Sequence, residues 1–255
     1  MPDEQRLSGG LINEVTRVAD TVRRMPPRNA AYVHALLQHF EHTGWAGAPR
    51  YLGIDDQGRE KLSFLDGVTR ADQSDLAVDT ESALAGVARL VREFHDLTAG
   101  TELAGEAEVV CHNDLDPRNT VYLQTADGPV PTAFIDWDIA APGPRIHDVA
   151  RIGWQYLGLG PGIQSVPEAA RKLRLICDSY GLPDRGDLLD VTVWWQDRCW
   201  RGILAGADAG DPAIIRIRDA GLADTVRQAA EWTSDHAAAL SAELTDQASS
   251  TLGAS

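Results

Sequence analysis

The chain has 255 residues, 44 % of them hydrophobic, which is enough apolar material to build the core of one large domain or two packed lobes. A formal net charge of −15 excludes nucleic acid and anionic membrane as general partners, because no basic surplus remains to neutralise phosphates. No apolar run approaches the roughly 20 residues needed to cross a bilayer, and the opening MPDEQRLSGG lacks the basic and apolar segments of a leader, so a cytoplasmic location is expected. Cys111, Cys177 and Cys199 are odd in number and too widely spaced for a zinc site or a disulfide framework, and are expected as free thiols.

In chain order, Glu14–Val18 alternates as a strand does, Asp20 can turn, and Thr21–Arg24 continues in strand fashion until Pro26 and Pro27 end it. Ala31 to Phe40 predicts a helix, with Val33, Leu36, Leu37 and Phe40 at spacings of three and four and Gly44 just beyond. Tyr51–Ile54 and Lys61–Leu65 flank the turn residues Asp55–Gly58 and predict a hairpin. Asp66 and Gly67 read as a hinge. A helix is expected from about Thr80 to Leu97, its apolar face carrying Leu84, Val87, Val91 and Phe94. Further on, Ser165 and Glu168 form a capping box opening a helix that closes near Gly181, and helices are expected over Asp187–Leu204 and Leu222–Leu244. Residues 245–255 are small and polar and predict a disordered tail.

The chemistry concentrates between Val109 and Asp148. His112, Asp114 and Asn119 lie on a loop that runs into the strand Thr120–Leu123; after the turn residues Ala126–Pro129 the strand Thr132–Ile135 returns and delivers Asp136. If the two strands pair antiparallel, the start of the first lies beside the end of the second, about 5 Å away, and Asn119 and Asp136 become neighbours. An amide oxygen beside a carboxylate makes a partial oxygen cage, suited to a hard cation that keeps waters and takes its other ligands from phosphates, as magnesium on a nucleotide does. Asp114 would reach the same space from the loop. Ionised at neutral pH, it could accept a hydrogen bond from a substrate hydroxyl and aim the oxygen at phosphorus.

These residues resemble the H-x-D-x-x-x-x-N catalytic loop of the aminoglycoside phosphotransferase family, and Ile135-Asp136-Trp137-Asp138 is similar to that family's metal-binding counterpart of the kinase D-F-G. The resemblance implies an α+β, two-lobed protein-kinase-like fold: a small lobe of antiparallel sheet plus helix over 1–66, binding nucleotide, and a larger, mainly helical lobe over 67–255 with the catalytic loop, metal site and acceptor pocket. It implies Asp114 as the catalytic carboxylate, Asn119 and Asp136 as ligands of Mg2+, His112 as a loop support, and Asp148 as a brace for the helix after the metal site. Asp138 would be a second metal-side carboxylate or a loop brace, the brace being preferred.

On the nucleotide side, Ser8–Val15 resembles the glycine-bearing hairpin that covers phosphates, with Gly9 and Gly10 allowing close backbone approach, Asn13 tolerating a left-handed turn, and Val15 entering the strand. Arg23 or Arg24 would grip the phosphates, with Arg23 preferred, and the base would meet backbone near Phe64 and Leu65. The family's helix glutamate, which orients the basic residue, falls here at Val33 or His34, so that the expected ion pair lacks its partner. The acceptor is expected on the helical lobe, where Trp194, Asp197 and, further on, Glu231 suit an amino sugar or other cation. The implied activity is transfer of the γ-phosphoryl of ATP or GTP to a hydroxyl of a small molecule, an aminoglycoside or other antibiotic; the alternatives are a metabolic kinase for an amino alcohol or sugar, and a catalytically silent nucleotide-binding module.

Overall fold

A computed structural model describes residues 4–7 and 15–244. Gly9, Gly10 and Asn13 of the expected phosphate-covering hairpin, and the expected tail over 245–255, lie outside the described residues. Two compact units make up the chain, Met1–Asp148 and Val149–Ser255.

In the first unit, β1 (Glu4–Arg6), β2 (Thr16–Val18) and β3 (Thr21–Arg24) are followed by helix α1 (Ala30–His42) and then by β4 (Tyr51–Ile54) and β5 (Glu60–Ser63). The strands form an antiparallel sheet in the order β1-β2-β3-β5-β4. Helix α1 buries Val33, Leu36, Leu37 and Phe40, the stripe its periodicity predicts. The turn between β4 and β5 is folded by Asp55, whose carboxylate accepts the backbone N–H groups of Gln57 and Arg59 at 2.9 Å each.

Strand β5 is displaced from the expected Lys61–Leu65. It starts at Glu60 and its ladder with β3 ends at the pair Thr21↔Ser63, opposite the β2–β3 turn, so Phe64 and Leu65 leave the sheet as connecting chain. Gly67 then adopts φ +139°, and a side chain there would meet Val121 Cγ1 at 2.6 Å and the Tyr122 carbonyl oxygen at 2.7 Å. That close approach allows Val68 and Tyr122 to exchange backbone hydrogen bonds of 2.9 and 2.8 Å.

Helix α2 (Glu81–Thr98) is capped by Thr80, whose hydroxyl accepts the Ala83 N–H. After β6 (Val109–Cys111) and the loop come β7 (Thr120–Thr125) and β8 (Gly128–Phe134), an antiparallel hairpin as expected but with longer strands and a tighter turn, closed over Ala126 and Asp127 alone because Gly128 and Pro129 join the ladder. Strand β9 (Ala141–Gly143), which pairs with β6, is not anticipated by the sequence because Ala-Pro-Gly carries no strand signature. Between these elements lies an aromatic core: Phe40, Trp45, Phe94, Phe134 and Trp137 meet at ring-centroid distances of 4.7 to 6.3 Å. Burial of each large ring contributes about 1.5–3 kcal/mol, with edge-to-face contacts adding to it.

Helix α3 (Ile146–Leu157) starts at the end of the first unit. The second unit continues with α4 (Val166–Tyr180), α5 (Leu188–Asp208), α6 (Pro212–Asp219), α7 (Leu222–Asp235) and α8 (Ala237–Leu244). Ser165 caps α4 by accepting the Glu168 N–H, and Gly181 ends it at φ +76°, as the capping pattern indicates. Helix α5 packs on α6 and α7, and α4 on α8. The buried Gln196 amide ties α5 to its surroundings, donating to the Leu159 carbonyl at 3.3 Å and to the Thr233 hydroxyl at 3.1 Å. The expected single helix over Leu222–Leu244 is broken at His236, whose ring stacks on Trp232 and bonds its carbonyl oxygen. Helix α6 is unanticipated, although Asp211-Pro212 is a cap followed by proline in the first turn. No helix of the described residues is long and apolar enough to cross a membrane.

Candidate active site

The loop between β6 and β7 is fixed by two buried side chains. Asp148 receives the backbone N–H of His112 at 2.7 Å and of Asn113 at 2.9 Å, and the His95 ring at 3.1 Å. Burial alone would raise the pKa of this carboxyl; the hydrogen bonds from His95 and the loop outweigh it and hold the group below its ordinary value. His112 bridges the loop to the returning strand: its Nδ1 accepts the Asp114 N–H at 3.2 Å and its Nε2 donates to the Ile135 carbonyl at 3.1 Å. Burial lowers its pKa, and the neutral Nε2–H tautomer is the one these two bonds require.

The same loop places Asp114 beside Asn119. The Asn119 amide Nδ2 donates to the Asp114 carbonyl and to its carboxylate Oδ2, both at 3.0 Å. The Ile135 N–H donates to the Asn119 carbonyl at 2.9 Å, continuing the β7–β8 ladder by one step and bringing Asp136 next to Asn119, as the hairpin reading expects. Asp116, with Arg118 held on its carboxylate by two bonds of 2.9 Å, closes the middle of the loop.

Asp136 adopts φ +65°, and so does Asn113. Left-handed backbone at a non-glycine costs on the order of 1 kcal/mol and is borne most readily by Asn and Asp. The strain at Asp136 is sustained by the following residue: Trp137 is buried in the aromatic core and donates its indole N–H to the Phe134 carbonyl at 3.0 Å. The aromatic core thus anchors the chain on both sides of the carboxylate.

Arg24 lines the polar end of the cavity in this unit, as Arg118 does, and is buried among carboxylates. Its guanidinium meets Glu60 Oε1 at 2.6 Å, Asp136 Oδ1 at 3.0 Å and Asp138 Oδ1 in a further short contact. Burial alone would lower the Arg24 pKa; the charges of Asp138, Asp136 and Glu60 raise it instead. One guanidinium shared by three carboxylates cannot satisfy them all: burial, together with Asp136 and Glu60, pushes Asp138 up to about 6 against the pull of Arg24.

Arg23, the residue preferred from sequence, points elsewhere and pairs with Asp55 at 3.2 Å. Neighbouring residues of a strand face opposite sides of the sheet, so only one of the two arginines can reach Asp136, and the pairing Arg24↔Glu60 selects Arg24. Asp138, read from sequence as preferably a loop brace, is a counter-ion of Arg24. Glu60 went unrecognised because the strand was expected to begin at Lys61. Its signal is a charged residue alternating with Leu62 on the buried face of β5.

A cavity of about 310 Å³ opens in this unit, within the size range of small-ligand sites. Val15, Val22, Leu62 and Val121 supply apolar walls, Ser63 the end of β5, Phe64, Leu65 and Gly67–Thr69 the connecting chain, and Arg24, Arg118, Asn119 and Asp136 the polar end. An amide oxygen and a carboxylate at that polar end form a donor set that suits a hard cation such as magnesium. In the second unit, Trp194, Asp197, Arg198 and Arg201 line a shallow groove on α5. Asp197 there accepts the Trp200 indole N–H at 2.8 Å and pairs with Arg201, while Glu231 pairs with Arg227 on α7.

A buried, neutral histidine supporting a loop aspartate, with an asparagine and a strained aspartate at the polar end of a cavity, is the arrangement of a kinase-like phosphotransferase. The family description "Phosphotransferase enzyme family" matches residues 101–173, the segment holding that loop. The trifolitoxin immunity protein of Rhizobium leguminosarum bv. trifolii is 31 % identical over 218 residues, spanning 76 % of this chain and 80 % of the relative. The chain belongs to the aminoglycoside phosphotransferase family, small-molecule phosphotransferases of protein-kinase-like fold. Among solved structures, an ethanolamine kinase of Plasmodium vivax superposes with a TM-score of 0.60 at 13 % identity, covering 91 % of this chain and 83 % of the other. The GDP complex of an aminoglycoside 2'-phosphotransferase-IIIa superposes with a TM-score of 0.58 at 15 % identity, covering 92 % and 93 %. These two likenesses establish the α+β fold.

Proposed function

We propose that this phosphotransferase moves the γ-phosphoryl group of ATP or GTP onto a hydroxyl of a small, hydroxylated and cationic molecule, and that the reaction serves resistance to an antimicrobial compound. The observation that carries the reading is that Asn119 and Asp136, set side by side by the β7–β8 ladder, line the polar end of one cavity, while the loop ties the Asp114 carboxylate to the Asn119 amide. The relative named for immunity to trifolitoxin supports the resistance role, and the net charge of −15 favours a cationic acceptor.

In this mechanism the base and ribose occupy the apolar part of the cavity, against backbone at Ser63–Leu65, and the phosphates extend toward Arg24. Asn119 and Asp136 would hold magnesium, which supplies charge neutralisation on the phosphates when bound. Asp114 accepts the hydrogen bond of the acceptor hydroxyl and aims its oxygen at phosphorus; the Nδ2 donor of Asn119 and the His112-anchored backbone keep that carboxylate from rotating away. In a loose transition state such aiming contributes more than early proton removal.

The test is a panel of hydroxylated antibiotics and amino alcohols incubated with the protein, magnesium and either ATP or GTP, read by mass spectrometry for the gain of one phosphate. Transfer that disappears in Asp114→Ala is the expected outcome. Nucleotide binding with no transfer to any member of a broad panel, and no nucleotide hydrolysis, would sink the enzymatic reading.

A further inference from the structure

The resemblance calls for a glutamate on α1 to orient the phosphate-gripping cation, and that helix offers Val33 and His34 instead. We infer that Glu60 of β5, clamped from behind by His34, is the positioning residue that sets the Arg24 guanidinium for the nucleotide phosphates; the inference rests on the phosphotransferase reading above.

Three observations carry it. Glu60 is completely buried, and its two oxygens are both committed: Oε1 to Arg24 Nε at 2.6 Å, Oε2 to His34 Nε2 at 2.7 Å. A buried carboxylate is retained only where partners compensate its desolvation, and these partners are Arg24 and the residue standing where the helix glutamate would be. Second, Arg24 and Glu60 are directly opposed in the β3–β5 ladder, so their side chains share one face of the sheet and their separation is fixed by strand register. Third, the His34 ring is stacked on Tyr51 of β4 at 3.7 Å and 18°, which holds it in line with Glu60.

The use of Nε is informative. With Glu60 on Nε, the two terminal nitrogens of Arg24 point away from the sheet, toward Asp136 and Asp138. These are the two nitrogens that form a fork for phosphate oxygens. The helix glutamate has thus been replaced by a carboxylate on the same sheet as the arginine, and the helix retains a histidine that supports it.

The variants Glu60→Gln, His34→Glu and the double variant His34→Glu with Glu60→Gln test this. The double variant returns a carboxylate to the helix. Two quantities are read on the full-length protein: the dissociation constants of Mg-ATP and Mg-GTP by titration, and the Nε–H resonance of Arg24 by NMR, assigned through its loss in Arg24→Lys. Glu60→Gln is expected to weaken binding of whichever nucleotide the protein takes by about tenfold or more, and to shift the Arg24 Nε–H resonance and speed its exchange. The double variant is expected to recover most of the affinity and of the resonance protection. A thermal melt separates these effects from general loss of folding, which rescue by a relocated carboxylate would not repair. An Arg24 resonance and a nucleotide affinity both unchanged in Glu60→Gln would overturn the inference. A wild-type protein that binds neither nucleotide overturns the phosphotransferase reading instead, and the resonance still decides whether Glu60 sets the guanidinium.

Discussion

The Asp114 carboxylate is held by the Asn119 Nδ2 donor as well as by the loop. Asp114→Ala removes the hydroxyl acceptor and is expected to lower kcat about 10²- to 10⁴-fold, with nucleotide affinity nearly unchanged in a direct titration. His112 permits a prediction in pH. Its folded pKa lies below the ordinary value near 6.5, so the unfolded chain takes up a proton that the folded chain refuses. Its contribution to stability is therefore present above about pH 6.5 and is lost as the pH falls from there through the folded pKa. Melting temperatures measured between pH 7.5 and about 5 should fall more steeply in the wild type than in His112→Gln; parallel slopes would show that the imidazole is not held neutral. The residue types of this site were legible because the loop spacing and the aspartate at the end of the returning strand sit together in sequence. Arg24 was legible only as one of two candidates and Glu60 was not, since choosing between Arg23 and Arg24 requires the sheet register, and that register is set by β5, 36 positions away.

At the level of elements, α2 does more than fill the core. Phe94 touches Phe40, Trp45, Phe134 and Trp137, so it joins α1, β8 and the segment carrying Asp136 through one ring. Phe94→Ala should cost about 3–5 kcal/mol in denaturant unfolding, and should also weaken magnesium-dependent nucleotide binding in the protein that remains folded. Gly67→Ala should behave differently: the clash with Val121 and Tyr122 falls on the chain wall of the cavity, so nucleotide affinity should drop with a smaller loss of stability. Amphipathic periodicity revealed α1 and α2, and the Ser165–Glu168 capping box with Gly181 bounded α4. What the pattern concealed were elements without a period of their own. Strand β9 exists because β6 offers it a partner, and the break at His236 arises where a histidine turns back onto the carbonyl of Trp232.

For the molecule as a whole, the charge of −15 is a long-range quantity that acts on encounter before contact. With a cationic acceptor, kcat/KM should fall several-fold as salt is raised from low to near-molar concentration, because the Debye length shrinks from tens of Å to about 3 Å. A neutral acceptor would show little such dependence, and this comparison sorts the amino alcohols and amino sugars of a panel from uncharged hydroxyl compounds. Composition made the sign of this effect readable; the identity of the acceptor was not readable, since the carboxylates of α5 and α7 that invited a guess are engaged by arginines of their own helices.

The left-handed backbone at position 136 also shapes what mutation can do to this chain. Of the residues that one base change can put in place of an aspartate, asparagine and glycine accept φ +65° with little strain, whereas valine, alanine and tyrosine do not. Asp136→Asn and Asp136→Gly remove the negative charge and spare the turn, so on the role proposed for Asp136 folded descendants without turnover lie a single step away. Variants that disturb the turn itself would instead give up about 1–2 kcal/mol of stability. A lineage carrying this motif can therefore shed its chemistry more easily than its shape, and the same two substitutions offer the experimenter a way to delete the charge while keeping the scaffold.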